Sequence, residues 1–480
     1  MTEWMKNVIR FLGSNRFFWV VVGITILQGL WYALSLQPTL FDEPKHLGRI
    51  FFYAQHLSPF LGTQDPSWDS LGAITRDGSY LFYYLMSLPL RFFQLFIHDT
   101  RTLDTILRVI CLSFFVGGLV FFRKALVSLK AIPGSAINLI LLFIVLTPAI
   151  APLVGAVNYD SPVFLIFAII LWLAIRIIQS KKLRILDILS LLSLVLVMSI
   201  IKWTSIALSI PTVLYLGYVL YRRYGKKFRT ELVAAAKKAP RVWFWVAVAG
   251  LVFAAVLFIE RPVMNTVLYG QPEADCPRVI GYDRCLKFPD YAIYAEIGAN
   301  KPANFAPKNP LEYLLVLWIP GMINSQVGLL SPPFPLIQML FFVFALGGVT
   351  LFLVYFRTFM RSEINRFFLV IIVGYILLLF IYLYRLYLTY AIPAAINGRY
   401  LIPILPLLFY FVFISVREVL KKRRKTQGAL LVIILLGFTQ GGGIITDSLT
   451  SNEAFYWRDD TTRGINSKMR SVLHRLVKEK

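Results

Sequence analysis

Long apolar segments recur along the whole chain of 480 residues, and they restrict its fold more than any other feature. Many of them run to roughly 16–23 residues with almost no charge, the length that a helix needs to cross a hydrocarbon core of about 30 Å. Lipid offers no water to backbone polar groups, so such segments form helices. The sequence therefore predicts an all-α polytopic membrane protein built as one integrated bundle.

The net charge of +24 indicates membrane topology and not a nucleic-acid partner. Basic clusters lie between the apolar segments, around residues 123–130, 176–184, 222–241, 357–366 and 417–425. With the N-terminus, the segments predicted to share this side hold 27 Lys and Arg against five Asp and Glu. The segments on the other side hold 21 Lys and Arg against 19 Asp and Glu. By the positive-inside rule the basic side is cytoplasmic, and the chain is expected in the cell membrane with its N-terminus in the cytoplasm.

About eleven membrane crossings are predicted, beginning near residues 17, 103, 136, 162, 185, 203, 242, 334, 367, 401 and 428. Two other apolar segments are not counted as membrane crossings. If Tyr80–Ile97 also crossed, every later basic cluster would fall outside, so we interpret this segment as an interfacial or re-entrant helix. Leu311–Ile323 is too short to span a bilayer and is bounded by Pro310 and Pro320.

This layout predicts a membrane bundle over residues 1–446 and a C-terminal tail over residues 447–480. Two long extracytoplasmic loops, outer loop 1 at about 37–102 and outer loop 2 at about 260–333, connect its helices. Cys276 and Cys285 lie nine residues apart in outer loop 2. A disulfide between them fits an oxidising compartment, and two unpaired thiols are the alternative. By the same count the tail is also outside.

Two adjacent carboxylates, Asp42 and Glu43, directly follow the first apolar segment. Ionisable groups are costly beside a bilayer and usually serve chemistry or transport. Pro44 falls in the first turn of a predicted amphipathic helix, on which His46 and Arg49 share a polar face. We interpret one carboxylate as a general base at the interface, since a helix N-terminus keeps an acid ionised. Capping of the helix by these carboxylates is the alternative.

Three other polar sites fall on the same predicted side of the membrane. Residues 158–160 begin the fourth crossing, Lys202 lies between two crossings, and residues 397–400 precede the tenth. The alternatives are helix capping at the first site, a snorkelling Lys202, and a simple interface anchor at Arg399. Taken together, cations at a lipid boundary suit a phosphate headgroup, and a nearby carboxylate suits deprotonation of a hydroxyl.

These motifs resemble those of a known family. Asp-Glu-Pro-x-His at 42–46, Asn-x-Asp at 158–160, Lys-x-Thr at 202–204 and Gly-Arg-Tyr-Leu-x-Pro at 398–403 look like a set seen in bacterial polytopic membrane proteins long labelled only as a domain of unknown function. That group is similar to the GT-C class of glycosyltransferases. The resemblance implies a GT-C-like bundle that moves a sugar, with inversion, from a polyprenyl-phosphate carrier to a glycan, lipid or protein acceptor at the outer face of the membrane.

The resemblance also implies roles for individual residues. Asp42 would deprotonate the acceptor hydroxyl, and Glu43 would orient the acceptor or support Asp42. Arg399 and Lys202 would hold the donor phosphate and stabilise charge on the leaving group. The supporting residues would be His46, Arg49, Asp160 and Tyr400. No cofactor is obligatory, although a divalent metal at Asp160 is an alternative, because some relatives bind one at this second acidic position.

Two other functions fit part of the pattern. A transporter or flippase for a lipid-linked saccharide would also need charges near the bilayer, but would more often place them at mid-membrane on broken helices with repeat symmetry. An envelope polysaccharide polymerase or ligase would be expected to use arginines and a histidine in a late outer loop instead of an early Asp-Glu pair. A glycosyltransferase for cell-envelope glycan or lipid modification therefore fits the sequence best.

Overall fold

Seven helices in the computed structural model, which describes residues 3–38, 42–327, 335–420 and 457–478, are long and apolar enough to cross a membrane. They are Asn15–Ser35, Thr100–Ser128, Asp160–Gln179, Trp203–Lys238, Arg241–Tyr269, Glu363–Tyr390 and Gly398–Val419. Each contains the long run of low-charge apolar residues that a bilayer requires. The protein thus has the architecture of an all-helical multi-pass membrane protein, as the sequence predicts.

We number the described α-helices α1 to α23 in chain order. The first eleven are α1 (Glu3–Leu12), α2 (Asn15–Ser35), α3 (Glu43–Ala54), α4 (Tyr80–Gln94), α5 (Thr100–Ser128), α6 (Gly134–Leu146), α7 (Ile150–Val154), α8 (Asp160–Gln179), α9 (Ile185–Ile201), α10 (Ile206–Tyr224) and α11 (Phe228–Lys238). The others are α12 (Arg241–Phe258), α13 (Met264–Tyr269), α14 (Cys276–Ile280), α15 (Tyr282–Cys285), α16 (Pro289–Ala299), α17 (Pro310–Glu312), α18 (Ile319–Val327), α19 (Pro335–Val354), α20 (Phe356–Phe359), α21 (Glu363–Tyr390), α22 (Leu405–Val419) and α23 (Asp460–Lys478).

Three predicted crossings correspond to apolar helices outside the set of seven. These are α6 with 13 residues, α9 with 17 residues, and α19, whose apolar part is Phe342–Val354. The eleventh predicted crossing, near residue 428, lies outside the described residues. Helix α4 has 15 residues, is not among the seven, and packs along α3. The interpretation of this segment as an interfacial or re-entrant helix stays a prediction.

Helical structure continues past residue 260, where outer loop 2 is expected to start. Pro262 lies within a π turn, Ile259–Val263, that joins α12 to α13, so the helix continues to Tyr269. The wider hydrogen-bonding pattern of a π turn accommodates a proline, which has no N–H to donate. Gly270 ends the helix in the left-handed conformation, with φ 77°. The helical structure therefore ends at this glycine, and the bounds of outer loop 2 relative to the membrane stay a prediction.

Pro320 likewise does not bound the short apolar segment of outer loop 2. A second π turn, Tyr313–Trp318, immediately precedes it, and α18 continues through the proline to Val327. The helix therefore continues past Pro320, for the same physical reason as at Pro262.

The predicted basic clusters meet at one end of the bundle. Arg123, at the end of α5, donates to the Asn15 side chain at the start of α2 (2.7 Å). Arg417 of α22 donates to the loop between α5 and α6 (3.1 Å). Arg223 of α10 donates to carbonyl groups at the end of α8, including that of Ser180. These contacts bring together the segments that the charge distribution assigns to one side of the membrane.

A buried ion pair organises the opposite end of the bundle. Arg108 of α5 donates from Nε and Nη2 to the two carboxylate oxygens of Glu43 (2.8 and 2.7 Å). Its Nη1 donates to the carbonyls of Ala33 and Leu36 (3.0 and 2.8 Å). The N–H of Val157 donates to Glu43 Oε1 (2.7 Å). Both charged side chains are buried, so this pair joins the end of α2, the start of α3, α5 and the turn before α8.

Replacing Glu43 with alanine should destabilise the protein strongly, because it leaves the buried Arg108 guanidinium without its counter-charge. Loss of one partner of a buried pair costs about 3–5 kcal/mol, and we expect a correspondingly large fall in the melting temperature of detergent-solubilised protein. The matched control is Lys308→Ala, which removes a partly exposed partner of Glu312 and should cost about 1 kcal/mol or less. Equal melting temperatures for the two variants would contradict this assignment.

Candidate active site

Asp42 precedes α3 in the left-handed backbone conformation, with φ 62° and ψ 21°, which is uncommon for any residue but glycine. Its carboxylate makes no capping hydrogen bond to α3. It accepts instead from Arg399 Nη2 (2.8 Å) and Lys45 Nζ (3.1 Å). Capping is therefore wrong for Asp42, and also for Glu43, which binds Arg108. Residues in such conformations cluster at functional sites.

Asp42 lies in the wall of a pocket of about 250 Å³ at the end of the bundle that carries the buried ion pair. Three other side chains of α3 share this wall: Lys45, His46 and Arg49. Outer loop 2 supplies the facing wall with Glu273, Phe288 and Asp290. The pocket therefore lies between the two outer loops and is lined mainly by charged and aromatic side chains, a surface suited to a polar ligand with many hydroxyl groups.

The Asp42 carboxylate is ionised and accessible. Burial alone would raise its pKa, but the Arg399 guanidinium and the Lys45 ammonium outweigh burial and hold that pKa well below its usual range. About 40% of the Asp42 side chain is exposed, so a ligand in the pocket can reach it. Lys45 also pairs with Asp290 of outer loop 2. A negative charge thus faces the pocket and is flanked by two cations.

His46 contributes a neutral imidazole beside Asp42. The side chain is 3% exposed, and burial lowers the pKa of His46 to about 3, although the nearby Asp42 charge opposes this shift. Nδ1 lies 3.2 Å from the Tyr83 hydroxyl, and the ring packs edge-on against Tyr159 with centroids 4.7 Å apart. Nε2 is buried and has no hydrogen-bond partner among the described residues. His46 therefore adds hydrogen-bonding capacity to the pocket without adding charge.

Arg49 holds outer loop 1 against α3. Its guanidinium pairs with Asp77, donates to the Tyr83 hydroxyl (3.2 Å), and donates twice to the carbonyl of Leu71 (3.3 and 2.9 Å). Because these contacts occupy most of its donors, Arg49 shapes the pocket wall and supplies a fixed positive charge there.

Lys202 and Asp160 form a buried ion pair behind the pocket. The Lys202 ammonium also lies 4.7 Å from the ring centroids of both Tyr159 and Tyr400. Lys202 is only 5% exposed, so the interpretation of a snorkelling lysine is wrong. Asn158, not Asp160, caps α8, because its Oδ1 accepts a backbone N–H of the first turn at 3.0 Å. Asp160 is thereby left to bind the lysine.

The Asn-Gly-Arg-Tyr segment turns Arg399 toward Asp42. Asn397 accepts the backbone N–H of Arg399 (3.0 Å), and Gly398 lies so close to α18 that a Cβ atom there would be 2.4 Å from the Met322 carbonyl oxygen. Only glycine allows this approach. Arg399 is 7% exposed and bound to Asp42, so the alternative of a simple interface anchor is wrong.

The structure brings some of the predicted residues together and separates others. Asp42, His46 and Arg49 line the pocket and Arg399 touches Asp42, whereas Glu43 faces away into the bundle. The pair Lys202–Asp160 and the Tyr400 ring lie behind the pocket wall. Sequence reasoning missed the four other charged residues of the pocket: Lys45, Asp77, Glu273 and Asp290. Lys45 follows Asp42 by three residues on a helix and could have been found from that spacing.

A disulfide closes part of outer loop 2, and a buried carboxylate of outer loop 1 fixes this part to outer loop 1. Cys276 and Cys285 are disulfide-bonded, with Cα atoms 5.9 Å apart. Next to this bond, Arg284 donates to both carboxylate oxygens of Asp69 at 2.7–3.1 Å, and Asp69 is fully buried. These contacts position Phe288 and the residues that follow it at the pocket.

The residues at Asp160 do not fit a divalent cation. Within the described ranges, no three His, Cys, Asp or Glu side chains are grouped as metal ligands. The Lys202 ammonium occupies one Asp160 oxygen, and a fixed positive charge at this distance repels a metal ion. We therefore derive no step of the chemistry through a metal.

Comparison with known proteins gives no assignment. No protein-family model matches the chain, and no curated protein matches it. The function is therefore inferred from the chemistry of the pocket and from its position at one end of a membrane-spanning bundle.

His46 should make the protein sensitive to acid. The unfolded chain protonates this histidine as the pH falls through about 6.5, whereas the folded protein does so only at about pH 3. Acidification between these values favours unfolding, by at most about 1.4 kcal/mol per pH unit. We expect His46→Gln to reduce the loss of melting temperature between about pH 7.5 and about pH 5.

The matched control for this experiment is His98→Gln, because His98 is exposed and should leave the pH dependence of the melting temperature unchanged. If the His46→Gln protein loses stability with acid as steeply as the unmodified protein, the buried neutral state of His46 is wrong.

Proposed function

We propose that the protein is an inverting glycosyltransferase that moves a sugar from a polyprenyl-phosphate carrier to an acceptor hydroxyl at the extracytoplasmic face of the cell membrane. The observation that carries this proposal is the ionised, accessible Asp42 carboxylate, which lies between the Arg399 and Lys45 cations at the end of a membrane bundle. A base beside cations at this position suits a reaction in which a hydroxyl loses a proton and a lipid phosphate leaves.

The proposed reaction is a single displacement. Asp42 takes the proton from the acceptor hydroxyl, whose oxygen forms a bond to the anomeric carbon of the sugar. The bond from that carbon to the phosphate oxygen breaks, its electron pair stays on this oxygen, and polyprenyl phosphate leaves as an anion. Attack opposite to the leaving group inverts the anomeric configuration. A stabilised phosphate anion requires no separate general acid.

The positive charges around the pocket suit the donor phosphate. Arg49 lines the pocket with a fixed charge, Lys45 faces it with 30% of its side chain exposed, and Arg399 lies directly behind Asp42. Lys202 adds positive charge farther back, where Asp160 and two tyrosine rings surround it. Charge-assisted contacts of this type bind phosphate strongly. Glu43 supports Asp42 by anchoring the backbone next to it.

Donor binding and activation of the base are coupled in this arrangement. A phosphate in the pocket competes with the Asp42 carboxylate for Arg399 and Lys45. As these cations turn to the phosphate, Asp42 loses the charges that lower its pKa and becomes a stronger base. The base is therefore activated when a donor is present, and we infer that the donor binds before proton transfer.

The proposed orientation rests on three features. The basic clusters meet at the end of the bundle opposite the pocket, which favours a cytoplasmic location for that end. The disulfide in outer loop 2 suits an oxidising, extracytoplasmic compartment. Residues 457–459 contact the pocket-side end of α2, whereas α2 starts at the opposite end of the bundle. Counted from the start of α2 to residue 457, the proposed number of membrane crossings is therefore odd. A total of about eleven crossings agrees with these features.

Asp42→Asn should abolish sugar transfer while strengthening donor binding. The amide is not a base, so the transfer rate should fall by about 100-fold or more. The same change frees Arg399 and Lys45 from a carboxylate, so polyprenyl phosphate should raise the melting temperature of the variant more than that of the unmodified protein. Transfer from a radiolabelled polyprenyl-phosphate sugar and thermal shift provide the two measurements.

The matched control is Asp65→Asn, which changes an exposed carboxylate of outer loop 1 that caps a short 3₁₀ helix and contacts neither cation. It should leave transfer and thermal shift unchanged. Full transfer activity in Asp42→Asn would exclude Asp42 as the base. Binding of polyprenyl phosphate by the unmodified protein without any transfer would favour a transporter for a lipid-linked saccharide.

A further inference from the structure

The C-terminal helix α23 begins at the pocket end of the bundle, next to two membrane-spanning helices. Trp457 forms an antiparallel bridge with Leu36 and stacks on Tyr32 of α2, with ring centroids 6.2 Å apart. The N–H of the next residue donates to the Ser35 carbonyl (2.8 Å), and Asp459 pairs with Arg101 at the start of α5 (2.7 Å). Because α2 ends here and α5 begins here, α23 starts at the membrane boundary.

One face of α23 is buried and another is exposed. Thr462 and Asn466 are buried at 8% and 1% exposure, and they mark the face toward the protein. The described side chains beyond Asn466 are all exposed: Ser467, Lys468, Ser471, Val472 and Arg475. Among the described side chains, buried and exposed residues therefore fall on different faces of α23, whose 19 residues give it a length of about 28 Å.

The exposed surface has an apolar strip with cations beside it. Ile465 and Val472 are 41% and 54% exposed and lie within about 20° of each other on the helix, at about 100° per residue. Lys468 and Arg475 lie about 60° from this strip around the helix axis, on the side away from the buried face. Only Asp460 contributes a negative charge to the helix. An apolar strip bordered by cations is the pattern of helices that lie in a membrane interface.

We propose that α23 is a lipid-binding helix that lies on the outer membrane surface beside the pocket. Ile465 and Val472 would contact the boundary between headgroups and acyl chains, and Lys468 and Arg475 would bind anionic phospholipid headgroups. Its position at the ends of α2 and α5 and its positive charge both favour this occupant over a second protein. The lipid contact is independent of the reaction at the pocket.

The test uses the full-length protein with Val472→Cys labelled by an environment-sensitive fluorophore. Labelling is selective, because Cys276 and Cys285 are disulfide-bonded and Cys111 is buried. Nanodiscs of phosphatidylcholine are compared with nanodiscs containing about three parts phosphatidylglycerol to seven parts phosphatidylcholine. We expect the emission to shift to the blue and to rise about twofold in the anionic nanodiscs as the probe enters a less polar environment.

Two matched variants keep this test specific. A fluorophore at Ser467→Cys, about 140° or more from the apolar strip, should report water in both lipids. Adding Lys468→Glu and Arg475→Glu to the Val472→Cys protein should remove the difference between the two lipids, with the melting temperature unchanged.

Three outcomes would overturn the proposal. One is equal emission from the Val472 probe in the two kinds of nanodisc. Another is equal response of the Val472 and Ser467 probes to anionic lipid. The third is a blue shift in detergent that grows with protein concentration, which would assign this face to a second copy of the chain.

Discussion

The buried ion pair between Glu43 and Arg108 is the interaction on which the pocket depends. Charges so close to a membrane are retained only where they are paired and hydrogen-bonded, and here the guanidinium also satisfies the carbonyls at the end of α2. The pair fixes where α3 begins and which way it runs. Both oxygens of Glu43 are engaged inside the bundle, whereas the adjacent Asp42, in the left-handed backbone conformation, faces the pocket.

The two neighbouring carboxylates thus have different roles, because their surroundings differ. Glu43 is enclosed by protein and serves the architecture, whereas Asp42 is accessible and is paired with two cations. One of those, Lys45, is shared with Asp290 of outer loop 2. Both outer loops therefore contribute to the electrostatics of a single carboxylate, although nearly 250 residues separate them in the chain. The apolar bundle serves as the frame that holds them together.

The sequence predicted the helical membrane architecture well, because long apolar runs have few other structures available in lipid. It also identified the site segments, since charged residues beside apolar runs stand out. The partner of each residue could not be predicted. Arg108 has an acidic neighbour one turn away on its own helix, Asp104, but it binds Glu43, 65 residues away. The π turns at Pro262 and before Pro320 could not be predicted either, because a π turn has no simple sequence pattern.

The bridge between Leu36 and Trp457 has a consequence for biosynthesis. Leu36 also supplies a carbonyl to Arg108, so residues at the far end of the chain complete the packing beside the ion pair that supports the pocket. A ribosome produces the first helix long before Trp457, and contacts so distant in sequence form late. The nascent protein consequently lacks this packing beside the ion pair until Trp457 has been synthesised and has paired with Leu36.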